Sequence, residues 1–392
     1  MSNKLSSLLK LSVAGAVLLS VGACKPADKG QGALASKSMK ALNLPKDEVG
    51  IFSKYFATDA CDVDEMEALG ALAGLGLGES GVNGVSFTSR DVSAGIVTYS
   101  GLTFQEDGDE DVSFSVKSAA FHCPKMGDES PNFERLDLTD VFIRDDGDDV
   151  EFTAKTLNIA HPTSVAARSV IESMTKPNSK SVQDIGFGAI SITGAKIKSD
   201  ELNGSLASLS WGETRSENRQ GKVDLTIGQV NLVVPGEDNA QDLTLNFDGM
   251  NARALNIGGQ IDSSQAMSAN GVVGSVLGNL NAFEKPYDRI IIEKLNVTAE
   301  GFSLDFGGIE GVTTEKSELI TTHQNLKPTK ITLKPALGEI PSFKRNYDIL
   351  KSLDFETINL SGSSVTTLNK ADDSIAVSDG LFVIEDALKL NF

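Results

Sequence analysis

From Lys222 to Val234, apolar residues first alternate with polar ones at Val223, Leu225 and Ile227. They then slip phase by one position and resume at Val230 and Leu232. Alternation of this kind marks a strand with one face buried. The same slipped pattern returns at Val97, Tyr99, Leu102 and Phe104, and at Phe114, Val116, Ala119 and Phe121. It recurs at Leu136, Leu138, Val141 and Ile143, and at Phe152, Ala154, Leu157 and Ile159. Further copies are Ile190, Ile192, Ala195 and Ile197, then Ile290, Ile292, Leu295 and Val297, and more loosely Ile358, Leu360, Ser363 and Val365. An extra residue in one strand, a β-bulge, produces such a slip and bends the strand. The pattern therefore predicts a kinked strand, repeated.

A different period appears between the strand runs. Pro45 and Asp47 open a short helical stretch carrying Val49, Phe52 and Phe56. A second stretch, Asp64 to Leu75, sets Met66, Leu69, Leu72 and Ala73 on one side. After Pro162, Thr163 or Ser164 caps a helix with Val165, Val170, Ile171 and Met174 on one side. Another, capped by Asp262, aligns Ala269, Val272, Val273, Val276, Leu280 and Phe283. The last begins at Ser342, with Phe343, Tyr347, Leu350 and Leu353 inward. Kinked strands follow one another too closely for parallel crossovers, as from Val97 to Phe114 and from Leu136 to Phe152. The expected fold is mainly β, a β-rich α+β arrangement. Curved antiparallel sheet of repeated kinked strands forms a trough or half-barrel, with about three amphipathic helices packed across it.

The first residues change the picture from architecture to address. Lys4 and Lys10 precede the apolar run Leu11 to Leu19, and Val21, Gly22 and Ala23 lead into Cys24. A basic region, a short apolar run and small residues are the layout of a secretory signal peptide, too short for a stable membrane span. Cysteine directly after small residues resembles the lipobox of bacterial lipoproteins. The resemblance implies that Cys24 receives a diacylglycerol and becomes the first residue of the mature chain, a lipid anchor without a transmembrane helix. Lys25, rather than an aspartate, follows the cysteine, which by the same resemblance points to the outer membrane. The expected organisation is a signal peptide at 1–23 and a flexible tether at 24–45, which is polar and aperiodic. N-terminal helices and a first strand run follow at 46–180, and the later strand runs and helices at 181–392.

Composition narrows the partners. With 35 Lys and Arg against 54 Asp and Glu, the formal charge is −19, which disfavours nucleic acid and anionic membrane surfaces as charge-driven partners. Three cysteines are present, and with Cys24 assigned to the anchor, Cys61 and Cys123 are left to join in an exported protein, or to stay as two buried thiols. One tryptophan, Trp211, and four tyrosines make aromatics sparse.

No stretch carries recognisable chemistry. Gly76, Gly78 and Gly81 fit G-x-G-x-x-G but follow a helix rather than a strand, the wrong context for a dinucleotide site. Asp107, Asp109 and Asp111 start like a calcium loop, yet Val112 and Ser118 stand where glycine and glutamate are required. Asp145, Asp146, Asp148 and Asp149 read as a solvated hairpin tip. His122, His161 and His323 share no metal spacing. Gly274 and Gly278 match G-x-x-x-G in a helix too polar to span a membrane. An alternating C-terminus ending at Phe392 resembles the terminal strand of outer-membrane barrels, against which stand the interspersed helices and scarce Tyr and Trp. No enzyme activity, cofactor or metal is expected.

The long strand runs, of which Ile190–Ile197 and Leu243–Phe247 are typical, resemble those of AsmA-like and YdgA-type periplasmic proteins of Gram-negative bacteria. That resemblance implies an envelope role in lipid handling or outer-membrane upkeep. The expectation is a non-enzymatic outer-membrane lipoprotein whose apolar trough binds or shields acyl chains, its body in the periplasm or at the cell surface. The candidate lining is Ile190, Ile192, Val223, Leu225, Ile227, Leu243, Leu245 and Phe247. A structural or adhesive envelope protein with a filled core and no ligand is the alternative.

Overall fold

The computed structural model describes residues 52–58, 61–81, 84–105, 112–127, 131–145, 149–175, 188–213, 222–236, 241–256, 285–339 and 341–391. Among the described residues the protein is mainly β, a large curved antiparallel sheet with three α-helices. The signal-peptide and tether regions, the helix expected after Asp262 and the acidic run at 106–111 lie outside the described residues.

The sheet is a meander. It opens with β1 (Val85–Ser86) and β2 (Ser89–Ser93), both paired to β3 (Ile96–Gln105). β4 (Val112–His122), β7 (Arg135–Asp145), β8 (Val150–Ala160), β9 (Ala189–Lys198) and β10 (Asn203–Glu213) then pair in turn. Between β4 and β7, β5 (Lys125–Met126) and β6 (Pro131–Asn132) form a separate small ribbon. Beyond β10 each strand of the meander is two collinear pieces. These are β11 (Lys222–Ile227) with β12 (Val230–Val234), and β13 (Leu243–Phe247) with β14 (Met250–Asn256). Next come β15 (Arg289–Ile292) with β16 (Leu295–Thr298), and β17 (Phe302–Phe306) with β18 (Ile309–Lys316). The long β19 (Leu319–Leu333), β20 (Thr357–Asn369), β21 (Ser374–Ile384) and β22 (Leu388–Asn391) finish it.

The phase slips predicted from sequence are present, but in most strands their cause is not a bulge. Ser100 faces Ser118 and Leu102 faces Val116, so β3 and β4 stay in step on both sides of Gly101 and Lys117. Thr139 faces Thr156 and Val141 faces Ala154, leaving Asp140 opposite Lys155. One strand of each pair departs from extended geometry at this place. Gly101 (φ 60°), Asp140 (φ 48°) and Gly194 (φ 59°) take the left-handed conformation, which turns the chain without adding a residue. Farther along, Gly228–Gln229, Asp248–Gly249, Glu293–Lys294 and Gly307–Gly308 interrupt the strands on the same line. The result is a straight crease across the sheet, from β3 to β17/β18. True one-residue shifts occur at Val223/Leu225, at Leu326/Thr329 and at Ser363/Val365.

Because every slip is matched by its neighbour, apolar residues on both sides of the crease stay on one face. At the N-terminal end this face carries a filled core. Val97, Tyr99, Leu102, Phe104, Phe114, Val116, Phe121, Leu136, Leu138 and Val141 pack with residues of two helices, α1 (Glu65–Gly74) and α2 (Ser164–Thr175). Asp64 caps α1 by accepting from the Glu67 N–H at 2.8 Å, and Thr163 caps α2 through the Ala166 N–H at 3.2 Å. The buried stripe of α1 is Ala68, Ala71 and Leu72, continued by Leu75 in the cap. Of the predicted stripe, Leu72 is buried and Leu69 packs against the core, but Met66 is 85% exposed and Ala73 is exposed, their places on the buried side being taken by Ala68 and Ala71. On α2, Ala166, Ala167 and Ile171 are buried and Val170 packs against the core; the side chains of Val165 and Met174 lie outside the described residues.

The third helix, α3 (Pro341–Ser352), buries Tyr347 but leaves Phe343 51% and Leu353, just past its end, 59% exposed. Of the four residues predicted inward, Tyr347 is buried and Leu350 half-buried, while Phe343 and Leu353 point out to solvent. Tyr347 packs on Gly338 of the preceding 3-10 turn (Pro335–Glu339).

On the opposite, polar face the segment at 52–58 runs across the strand ends. The predicted short helix there is a single 3-10 turn, Phe52–Tyr55. Ala160, Ala189 and Gly212 stand directly opposite one another on β8, β9 and β10 and make a flat shelf for the Tyr55 ring. A Cβ at Gly212 would meet that ring, so only glycine fits. Tyr55 donates its hydroxyl proton to Asp224 Oδ2 at 2.8 Å, and Asp224 Oδ1 accepts from the Ala254 N–H at 3.0 Å. Arg135 donates to the Phe56 carbonyl at 2.8 Å. The chain then passes over the rim of the sheet, where Cys61 meets Cys123 at disulfide distance with Cα atoms 5.5 Å apart, and enters α1 on the apolar side.

Candidate functional site

The apolar face is ordered into rows, each made of residues that directly oppose one another from strand to strand. One row runs Val85, Phe104, Phe114, Ile143, Phe152, Ile197, Gly204, Leu232. It continues through Leu245, Val297, Leu304, Ile331 and Ile358. Toward the crease a second row passes through Val230, Phe247, Leu295 and Phe306. Across the crease, a third links Ile192, Leu209, Ile227, Met250, Ile292, Ile309 and Leu326. A fourth holds Ile190, Trp211, Leu225, Ala252 and Ile290. Side chains on directly opposed positions lie about 4.5–5.5 Å apart, so each row is a continuous apolar rail.

All eight lining residues named from sequence fall on this face. Ile190 and Leu225 flank Trp211, Ile192 and Ile227 flank Leu209, and Phe247 and Leu245 face Val230 and Leu232. Val223 lies opposite Glu213 and Leu255, and Leu243 opposite Val234. Sequence reasoning did not reach the partners from β16, β17, β19 and β20, namely Val297, Leu304, Ile331 and Ile358. Their alternation was legible, but which strands lie side by side depends on register.

Burial along a row changes with position. Near β3 and β4 the side chains are sealed beneath α1 and α2, as at Phe104 with 3% exposure and Leu138 with 1%. From β11 onward many are half-buried, as at Leu225, Ile227, Val230, Leu232, Leu243, Leu245, Phe247, Val297, Leu304, Ile331 and Ile358, while Val223, Ala252, Ile290 and Ile292 are buried. The four rows carry no charged side chain between β11 and β16. Trp211 keeps its indole N–H enclosed and without an acceptor among the described residues.

The polar face is built from Ser, Thr and Asn ladders, such as Ser205, Asn231, Asn246 and Asn296 in direct opposition. Its ionisable cluster is His122, Arg135 and Asp137 near Cys123. His122 Nε2 and Arg135 Nη2 each lie 2.8 Å from Asp137 Oδ2. Burial alone would raise the Asp137 carboxyl, but hydrogen bonds from His122 and Arg135 and the nearby Arg135 charge outweigh it and hold its pKa below the ordinary value. Arg135 also binds the Phe56 carbonyl, so the cluster fastens the crossing segment rather than facing a cleft.

Of the sequence motifs, Gly76 and Gly81 form a turn between α1 and β1, with φ of 88° and 82°. His122, His161 and His323 sit on different elements, and no group of metal-ligating side chains gathers among the described residues. No helix among them is long and apolar enough to cross a membrane. No protein-family model matches the sequence, and no curated protein matches it either.

Proposed function

We propose that this is a non-enzymatic lipoprotein of the cell envelope, anchored to the outer membrane through Cys24, whose apolar face from β11 to β20 holds lipid acyl chains. The observation that carries the reading is the half-buried row Leu232, Leu245, Val297, Leu304, Ile331 and Ile358, uncharged and continuous over six strands. Contiguous apolar surface of more than a few hundred Å² is rare on soluble proteins and marks a binding site. Each methylene removed from water contributes ~0.8 kcal/mol, so roughly five to twenty offset the roughly 4–15 kcal/mol cost of association. The resemblance of residues 1–24 to a lipoprotein signal peptide with its lipobox and of the strand runs to AsmA-like proteins supports the same reading.

The alternative, a structural envelope protein with no ligand, draws on the filled core under α1 and α2. Extraction of the full-length protein followed by lipid mass spectrometry separates the two. Bound lipid is expected in the wild type, and its loss in Leu245→Glu with circular dichroism unchanged. A lipid-free wild type that cannot be loaded supports the structural reading. Cys24→Ser is expected to move the protein out of the membrane fraction; acyl labelling that persists in this variant refutes the anchor.

A further inference from the structure

One corner of the apolar face is different. The row Trp211, Leu225, Ala252, Ile290 continues through Gly311, Gln324 and Ser364. One step farther from the crease, Thr313, Thr322 and Thr366 oppose one another. Aliphatic pairs border the block on both sides: Ile309 with Leu326 toward the crease, and Ile320 with Leu368 beyond it.

Tyr287 lies over this block. A Cβ at Gly311 would stand 2.5 Å from the Tyr287 hydroxyl and 3.1 Å from its ring, so the missing side chain is what admits the phenol. The Gln324 amide donates to the Tyr287 hydroxyl at 3.0 Å, and the Thr313 and Thr322 hydroxyls share a hydrogen bond of 3.1 Å. Burial pushes the Tyr287 phenol up, against the opposing hydrogen bond from Gln324. Tyr287, Thr313 and Thr322 are buried, Ser364 and Thr366 half-buried, and Gln324 exposed. Glu315, in the next row, is paired with Lys370. The block is a set of hydroxyl and amide groups of no formal charge, set into an aliphatic surface and reaching solvent at Gln324.

We propose that this block is the polar end of the acyl-chain site and selects lipids whose polar part is uncharged, a hydroxyl, ester or amide as in a diacylglycerol. The inference rests on the acyl-chain reading above. Neutral hydroxyls and amides satisfy a neutral polar group by hydrogen bonds in either direction. A phosphate or carboxylate placed there loses its hydration at a far larger penalty than a neutral group. The block itself holds no cation, and the lysines beside it, Lys370, Lys222 and Lys285, act on Glu315, with Lys285 also paired to Asp288.

The test uses the full-length protein and two lipids with identical brominated chains, a diacylglycerol and a phosphatidic acid. Trp211, the single tryptophan, lies on the same face, so bromine quenching of its emission reports the affinity of each. The wild type is expected to bind the diacylglycerol at least about tenfold more tightly. Tyr287→Phe and Gln324→Leu are each expected to erode that preference about three- to tenfold, the equivalent of one hydrogen bond. Gln324 is exposed, so its variant keeps the test decisive if Tyr287→Phe disturbs packing. Equal affinities in the wild type, or a preference unchanged in both variants, overturn the inference and leave the acyl-chain reading standing. Absence of quenching by either lipid overturns both.

Discussion

Tyr55 does not stand out in sequence beside Phe52 and Phe56, yet it is the residue that fixes the N-terminal segment to the polar face. Its hydroxyl satisfies the buried Asp224, which also receives the Ala254 N–H. Tyr55→Phe removes one donor from a buried carboxylate and is expected to cost about 1–3 kcal/mol in urea unfolding. Nothing in the local pattern announces this contact, because its partners lie far along the chain, at Ala160, Ala189, Gly212 and Asp224. Asp137 belongs to the same scale. Its carboxyl pKa is lowered in the folded state, so its contribution to stability is present above the unfolded value and is lost as pH falls through the folded one. Asp137→Asn should therefore flatten the acid limb of a stability-against-pH curve below about pH 4, with little change in slope near neutrality. An unchanged acid limb would show that the His122–Arg135 cluster does not hold the carboxylate.

At the scale of elements, the kinked strands were legible because their apolar positions sit two apart on each side of a two-residue gap. The mechanism of the kink was not, because a bulge and a paired turn leave the same trace in one strand. Only the partner distinguishes them, and Ser100–Ser118 with Leu102–Val116 shows the register unbroken. Side chains predict asymmetric outcomes along this line. Gly101→Ala forces a Cβ into the left-handed region and toward Thr88, at an expected cost of roughly 1–2 kcal/mol or more. Asp140→Gly, which relieves the same conformation in a residue 61% exposed at its side chain, should be neutral or stabilising by up to about 1 kcal/mol. Thermal denaturation of the two variants checks both signs. The helices were legible as helices, from caps at Asp64 and Thr163, while their buried stripes were less so. Alanines in α1 carry too little hydrophobicity to stand out beside Met66, although Ala68 and Ala71 are fully buried.

At the scale of the molecule, alternation together with short strand spacing was enough to specify an antiparallel meander. The order of rails across it was not, since it depends on every hairpin keeping its register. Cys61 and Cys123 were legible as a pair by elimination; their place at the rim, where the chain crosses from the polar to the apolar face, was not. A bond closing a sequence separation of 62 contributes up to about 4 kcal/mol by restricting the unfolded chain. Cys61→Ser is expected to lower the urea midpoint accordingly, and the wild type under reducing conditions should match it. A midpoint insensitive to both would mean that the two sulfurs do not cross-link.

The crease also limits how such a chain can change in length over evolution. Lys117, Asp140, Lys155 and Gly194 must each fall on one line, so the number of residues between the crease and the end of each strand arm is fixed, while the length of the turn beyond it is not. A single deletion inside an arm of β7, for example between Leu136 and Asp140, would carry the remaining apolar residues of that strand to the wet side. The same loss is harmless at a hairpin tip. Length variation among descendants of this sequence should therefore concentrate in the turns, and indels within strands should survive only when the neighbouring strand changes in step.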